Sequence, residues 1–208
     1  MPQPSRTDAP LMERKRRLVE QRIVAAAEEL FAARGFENVS VTDIAARADV
    51  GRTTFFRYFG DKTEVVFARE REVLDSIATV AAGDLGAASS TAEAVELLRP
   101  VVLELCGRVT SDHAEYERHL RLLALHPELQ ARDALKAQQA ADLLSRGLSS
   151  SGTDERIAVL AAHLALACYL AGRRNAATAG ALTDETRAAF DRTLALGGTG
   201  GAAFQSRS

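Results

Sequence analysis

The sequence predicts an all-α protein in two parts, a small helix-turn-helix head and a larger helical body, and three observations carry that prediction. Apolar residues recur every three to four positions along the chain, and no periodic stretch alternates with a period of two, so helices are expected and no sheet. Ala and Leu are abundant, Trp is absent and aromatic residues are few, the composition of a soluble helical protein. Charge is uneven: residues 1–62 hold 11 Lys and Arg against 9 Asp and Glu, and the remainder 15 against 19, so a net charge of −2 divides into a head of +2 and a body of −4. The expected division is a disordered leader over 1–13, the head over 14–62, the body over 63–196 and a disordered tail over 197–208. A chain of 208 residues buries roughly 70% of its unfolded surface and needs no disulfide or metal to hold it. Cys106 and Cys168 form neither a Cys-x-x-Cys pair nor a cluster with histidine, which suits a reducing cytoplasm. No signal-peptide pattern and no apolar run near the roughly 20 residues of a membrane span is evident, so a cytoplasmic protein without a membrane partner is expected.

The first helix is expected over about Arg17 to Arg34, with Ile23, Ala27, Leu30 and Phe31 on one face. Gly35 supplies its left-handed stop, and Phe36 folds back on the apolar face. Just before it, Arg14, Lys15, Arg16 and Arg17 form a basic cluster; with Arg22, Arg47, Arg52, Arg57 and Lys62 they could build one positive face or an arm along a phosphate backbone.

The next stretch carries the chemistry. Ser40 and Asp43 have the spacing of a capping box, and Val39 and Ile44 that of a hydrophobic staple, so a second helix starts at Val41. Val41, Ile44, Ala45 and Ala48 give it a narrow face of small residues. Asp49 falls where the chain must turn left-handed, and Gly51 takes the N-cap of a third helix over Arg52 to Phe59. Phe55 and Phe59 point inward there, which leaves Arg52, Thr53, Thr54, Phe56, Arg57 and Tyr58 outside. A merely solvated helix would not mix rings and cations in this way. Arg52 can bond a guanine edge bidentately, the Thr53 methyl can meet thymine, and Thr54 and Tyr58 can donate to phosphates. With Thr42 at the start of the second helix, Lys62 at the start of the fourth and the basic cluster Arg14 to Arg17, these are the candidate DNA-binding residues.

This stretch resembles the DNA-binding domain of the tetracycline-repressor (TetR) family of bacterial transcription regulators. The resemblance rests on Ile44-Ala45-Ala46-Arg47-Ala48, Val50, Thr54, Tyr58-Phe59 and Asp61-Lys62, and it covers about residues 14 to 66. Three positions depart from the family pattern: Asp49 stands for the usual Gly, Gly51 for Ser and Phe56 for Tyr, which implies one phosphate hydrogen bond fewer. The resemblance implies a variable helical body that binds a ligand and dimerises, hence a homodimeric repressor on a palindromic duplex DNA operator, released by a small hydrophobic or acyl-type effector. Arg52 to Phe59 together with His126-Pro127-Glu128-Leu129 looks like the branch whose body takes acyl-CoA-like ligands.

Asp61 and Glu64 form a second capping pair, so a single fourth helix is expected from Lys62 to about Ala82, with Val66, Val73, Leu74, Ile77 and Val80 inward. Gly83 to Ser90 reads as a loop. Helices follow near Thr91 to Val109, Asp112 to Leu125, Pro127 to Leu148, Asp154 to Leu170 and Asp184 to Leu196, with a break around Gly172 to Gly180. In this body Leu103, Cys106, Leu122 and Leu125, flanked by Arg118, either line a ligand pocket or fill a core. Ile157, Leu160, Leu164 and Cys168 on one helix and Phe190 and Leu194 on the next suit close packing against a symmetry mate, or an internal core. No metal, cofactor or catalytic constellation is expected, because the four histidines lack partners at ligand spacing and no nucleophile sits beside a base. A helical enzyme or adaptor that retains such a head is the rival reading.

Overall fold

The computed structural model describes residues 8–198, and among these there are ten α-helices, one short 3-10 turn and no strand. The chain divides into two compact units, residues 1–68 and 69–208. Residues 1–7 and 199–208, which hold part of the expected leader and most of the expected tail, lie outside the described residues.

The head is built from α1 (Asp8–Arg34), α2 (Val41–Arg47), α3 (Arg52–Tyr58) and α4 (Lys62–Val66). Helix α1 begins at Asp8, nine residues before the expected start, so residues 8–13 are helical and the basic cluster is part of a helix. The end of α1 follows the sequence reading: Gly35 has φ +77° and donates its amide to the Phe31 carbonyl, and Phe36 is buried with its ring 5.1 Å from that of Phe31. Ile23, Ala26, Ala27 and Leu30 of α1 enclose Ile44, Ala45, Phe55, Phe59 and Val65 in one core, with Ile23, Ile44 and Phe55 wholly removed from solvent. Burying each such side chain contributes about 1.5–3 kcal/mol, which is what fixes three very short helices that could not persist alone.

The expected single fourth helix is two: α4 ends at Val66, Phe67 leaves the helical region with φ −103° and ψ 21°, and α5 (Ala68–Ala81) begins afresh. The adjacent β-branched Val65 and Val66 weaken the helix just before the fully buried Phe67.

In the body, α5 is followed by a loop and then by α6 (Thr91–Val109), α7 (His113–Leu125), α8 (Pro127–Ser150), α9 (Glu155–Asn175) and α10 (Leu182–Gly198). Ser90 and Asp112 cap α6 and α7 by accepting the amides of Glu93 and Glu115. The loop is held from behind: Leu85 and Ala88 donate their amides to the Ser151 and Thr153 hydroxyls between α8 and α9. Helix α9 packs on α6, α8 and α10 and feeds Ala158, Ala161, Ala162, Ala165 and Cys168 into the core beside Leu98, Leu148, Leu182 and Phe190.

Two glycines set how closely these helices lie. A Cβ on Gly147 of α8 would stand 2.9 Å from the Ala81 backbone, and one on Gly172 of α9 would stand 2.2 Å from Thr186 Oγ1 of α10. Gly172 therefore does not end α9, as expected, but lets it run on to Asn175 against α10. By length and composition α9 is also long and apolar enough to cross a membrane, contrary to the sequence reading; its small-residue face is spent on the core.

Candidate functional site

Among the described residues, the outer face of α3 in the head and a cavity in the body are candidates for chemistry beyond packing.

The approach to α3 is fixed by local hydrogen bonds. Ser40 caps α2, with its Oγ accepting from the Asp43 amide at 3.2 Å while Asp43 accepts from the Ser40 amide at 2.9 Å. These contacts with Ser40 hold the Asp43 carboxyl below the usual carboxylate value. After Ala48 the chain turns through Asp49 at φ +52°, a left-handed position that Asp tolerates at some cost. Val50 then donates back to the Ala45 carbonyl at 2.9 Å. Arg22 of α1 spans the turn, its guanidinium donating to the Ala48 and Asp49 carbonyls. Gly51 caps α3 without a side-chain bond, as its lack of an oxygen requires.

At about 100° per residue, Arg52, Phe56, Thr53 and Arg57 fall within an arc of about 140° on α3, and all four are exposed. Phe56 is 48% exposed, its ring edge-on to Phe55 below it. Thr54 and Tyr58 lie outside this arc, half-buried, and the Arg57 guanidinium lies 5.6 Å over the Tyr58 ring. Thr42 is exposed near the start of α2. Of the six α3 residues expected to face outward, Arg52, Thr53, Phe56 and Arg57 are exposed, whereas Thr54 and Tyr58 are half-buried, Tyr58 against the core of the head.

Elsewhere the expected basic face is redistributed. Lys62 is turned inward: its ammonium donates to the Phe36 and Val39 carbonyls at 2.7 and 3.0 Å and lies 4.3 Å over the Phe36 ring. The reason is proximity, since α4 starts beside the loop that closes α1, whose carbonyls have no helical partner. Arg47 pairs with Glu29, and Arg22 is committed to the turn. Arg14, Lys15, Arg16 and Arg17 are exposed, but four consecutive residues on a helix fan around its axis and do not share a face.

In the body a cavity of about 100 Å³ lies among α5, α6, α8 and α9. Val73, Leu74 and Ile77, Val102, Leu105 and Val109, Ala137, Ala140 and Leu144, and Leu166 make its apolar wall; Glu70, Asp133, Lys136 and Tyr169 add polar groups. The pocket residues expected from sequence do not line it. On α6 the face is turned by about one residue: Val102, Leu105 and Val109 face the cavity, while Cys106 is fully buried beside Thr186, to whose hydroxyl its thiol donates at 3.6 Å. Leu103 and Leu122 are partly covered elsewhere, and Arg118 and Leu125 are exposed, Leu125 by 75%.

The polar groups of the cavity form a connected set. Arg173 grips Asp133 with two bonds of 3.1 and 2.7 Å and stacks 5.7 Å over Tyr169. Burial pushes the Tyr169 hydroxyl up to about 12, so it stays protonated. His119 Nε2 lies 2.8 Å from Glu70 Oε1, whereas Glu70 Oε2 is buried without a hydrogen-bond partner. Lys136 is held below the usual lysine value by burial, against the pull of Glu70. These residues were missed from sequence, but a signal was there: Asp133 and Lys136 interrupt the stripe of Leu129, Ala137, Ala140, Ala141 and Leu144, where a core helix would be apolar.

The expected dimer residues divide. Cys168 and Phe190 are 2% and 0% exposed inside the chain's own core and offer nothing to a partner, and Ile157, Leu164 and Leu194 are half-buried against that core. Leu160 is exposed and shares a stripe of α9 with Val159 and Leu170.

A capped helix, a tight turn and a second helix with cations and a ring on its outer arc define a helix-turn-helix of the DNA-binding type. Residues 23–68 match the family described as bacterial regulatory proteins, tetR family, so the head is similar to the N-terminal domain of that family. A Mycobacterium tuberculosis protein assigned to transcriptional regulation of mycofactocin biosynthesis, MftR, is 31% identical over 125 residues, 57% of this chain and 58% of that protein. The chain spans less than two thirds of the length of the curated relatives it matches. Among solved structures, a TetR-family regulator from Mesorhizobium loti is similar over 87% of this chain and 97% of that one, with 20% identity and a TM-score of 0.55. SmeT, the repressor of the Stenotrophomonas maltophilia multidrug efflux pump SmeDEF, is similar over 85% and 89%, with 21% identity and a TM-score of 0.54. These likenesses give the all-helical fold, and the curated relatives are named as transcriptional regulators.

Proposed function

We propose that the protein is a cytoplasmic, homodimeric transcription regulator that grips a palindromic operator with two copies of α3 and is released by a small apolar effector held in the body cavity. The observation that carries this reading is the outer arc of α3, where Arg52, Thr53, Phe56 and Arg57 stand exposed on a helix whose inner residues are locked in the core. Arg52 reads a base edge, Thr53 meets a thymine methyl, and Thr54, Arg57 and Tyr58 reach phosphates. The exposed stripe of Val159, Leu160 and Leu170 supports pairing through α9, where two copies would bury apolar surface that one copy leaves in water. The same role accounts for the apolar length of α9 without a membrane.

An acyl-CoA effector does not fit the cavity as it stands. Drug-sized ligands occupy roughly 300–1,000 Å³, several times the 100 Å³ found here, so a compact molecule is the better match.

Sequencing the fragments that the protein retains from its own genome tests the function. Inverted repeats with half-site centres one turn of DNA apart, about 34–36 Å, or a wider regular spacing, are expected; fragments without a shared repeat would refute it.

A further inference from the structure

The polar groups around the body cavity specify a ligand class, and the geometry points to a neutral, hydroxyl-bearing molecule with a compact apolar body, such as a simple phenol, bound with its hydroxyl on Glu70. This deepens the effector role proposed above and rests on the cavity being a binding site. Size comes first: about 100 Å³ is somewhat less than the roughly 150 Å³ of an engineered apolar cavity that takes up benzene. A single ring fills it, with slight give of the walls, and a long acyl chain does not.

Charge comes second. Glu70, Asp133 and Lys136 line the cavity, and Asp133 is neutralised by the two-bond grip of Arg173. Glu70 acts electrostatically on Lys136, as do Arg132 and Arg71, which have partners of their own; the four charges Glu70, Asp133, Lys136 and Arg173 sum to zero before any ligand arrives. A carboxylate would add an unbalanced negative charge beside Glu70 and Asp133, and an ammonium an unbalanced positive one beside Lys136 and Arg173. Either would lose its hydration in an apolar space with no free counter-charge.

Hydrogen bonding comes third. Glu70 Oε1 is taken by His119 at 2.8 Å, while Oε2 is covered and receives no donor, so a ligand hydroxyl meets it once the Glu70 side chain turns toward the cavity. A buried carboxylate oxygen without a donor is costly, and a ligand that supplies one recovers that cost on binding. A hydroxyl does so without bringing net charge. Benzene, of nearly the same shape, leaves Oε2 as it was.

The test is calorimetry on the full chain with four single-ring probes: phenol, benzene, benzoate and benzylamine. Phenol is expected to bind roughly 10- to 150-fold more tightly than benzene, the range for a hydrogen bond to a charged group, and the two ions more weakly than phenol. Glu70→Gln should remove most of the phenol advantage while leaving benzene unchanged, and Ala137→Leu, which fills the cavity, should abolish both. Equal affinity for phenol and benzene, or tighter binding of either ion, overturns the ligand class while leaving the cavity as a site. Failure of all four probes, or binding that survives Ala137→Leu, overturns the site. If phenol binds as expected but leaves operator affinity unchanged, the ligand class stands and the effector role proposed above falls.

Discussion

Lys62 separates two accounts of the head, because a cation at the start of α4 can either hold a phosphate or hold the protein together. In the structure its ammonium donates to the Phe36 and Val39 carbonyls and lies over the Phe36 ring. Replacing it with Met keeps the aliphatic stem and removes the charge. Each hydrogen bond to a charged group contributes about 1.5–3 kcal/mol, discounted here because both are only part-buried, and the cation–π contact adds about 0.5–1 kcal/mol. Lys62→Met should therefore cost the head about 2–4 kcal/mol. Because two units need not unfold together, the assay is native-state hydrogen exchange at the amides of α2 and α3, read beside the salt dependence of DNA binding. Protection in the head should fall by that amount, with the slope of log K against log salt unchanged. Unaltered protection together with a slope smaller by about 0.9, the signature of one lost phosphate contact, would refute the internal role.

Three further outcomes follow from the same contacts. Gly172→Ala places a methyl within 2.2 Å of Thr186 Oγ1 and close to its backbone, so α9 and α10 must separate, and the body should lose about 3 kcal/mol or more in urea unfolding. Burial pushes both thiols up, so Cys106 and Cys168 should resist iodoacetamide at neutral pH in the folded protein and react only once it is unfolded. Asp43 is held below its usual value by Ser40, so its contribution to α2 is complete above the unfolded carboxylate value of 3.8 and is lost as pH falls through the lower folded value. Carboxyl NMR titration of Ser40→Ala should show Asp43 rising back toward the ordinary range.

The head was legible because its signals are local. The Ser40–Asp43 box, the Gly35 stop and the left-handed Asp49 each act within a few residues, and α2 begins at the Val41 that its cap specifies. For the same reason Thr91 to Val109 was read to the residue, between a capping Ser90 and the end of its apolar repeat. Long-range contacts were not legible. Nothing near Lys62 in sequence announces that its ammonium meets carbonyls 23 and 26 residues away. Gly172 looked like a helix end because the need for a missing Cβ comes from Thr186, on another helix. The cavity was misplaced in two ways: Arg118, Leu122 and Leu125 belong to α7, which does not line it, and on α6 the face is off by about one residue of rotation, where Val102 and Leu103 are both apolar and only the packing of α8 and α9 decides between them.

The most direct test of the account is the base preference of Arg52. With the operator recovered from genomic fragments, selection from randomised half-sites is run in parallel for the wild type and Arg52→Ala. The account predicts a loss of about 1–3 kcal/mol and relaxed preference at one base position per half-site. A variant that selects the same sequences with the same affinity would contradict a reading helix at α3.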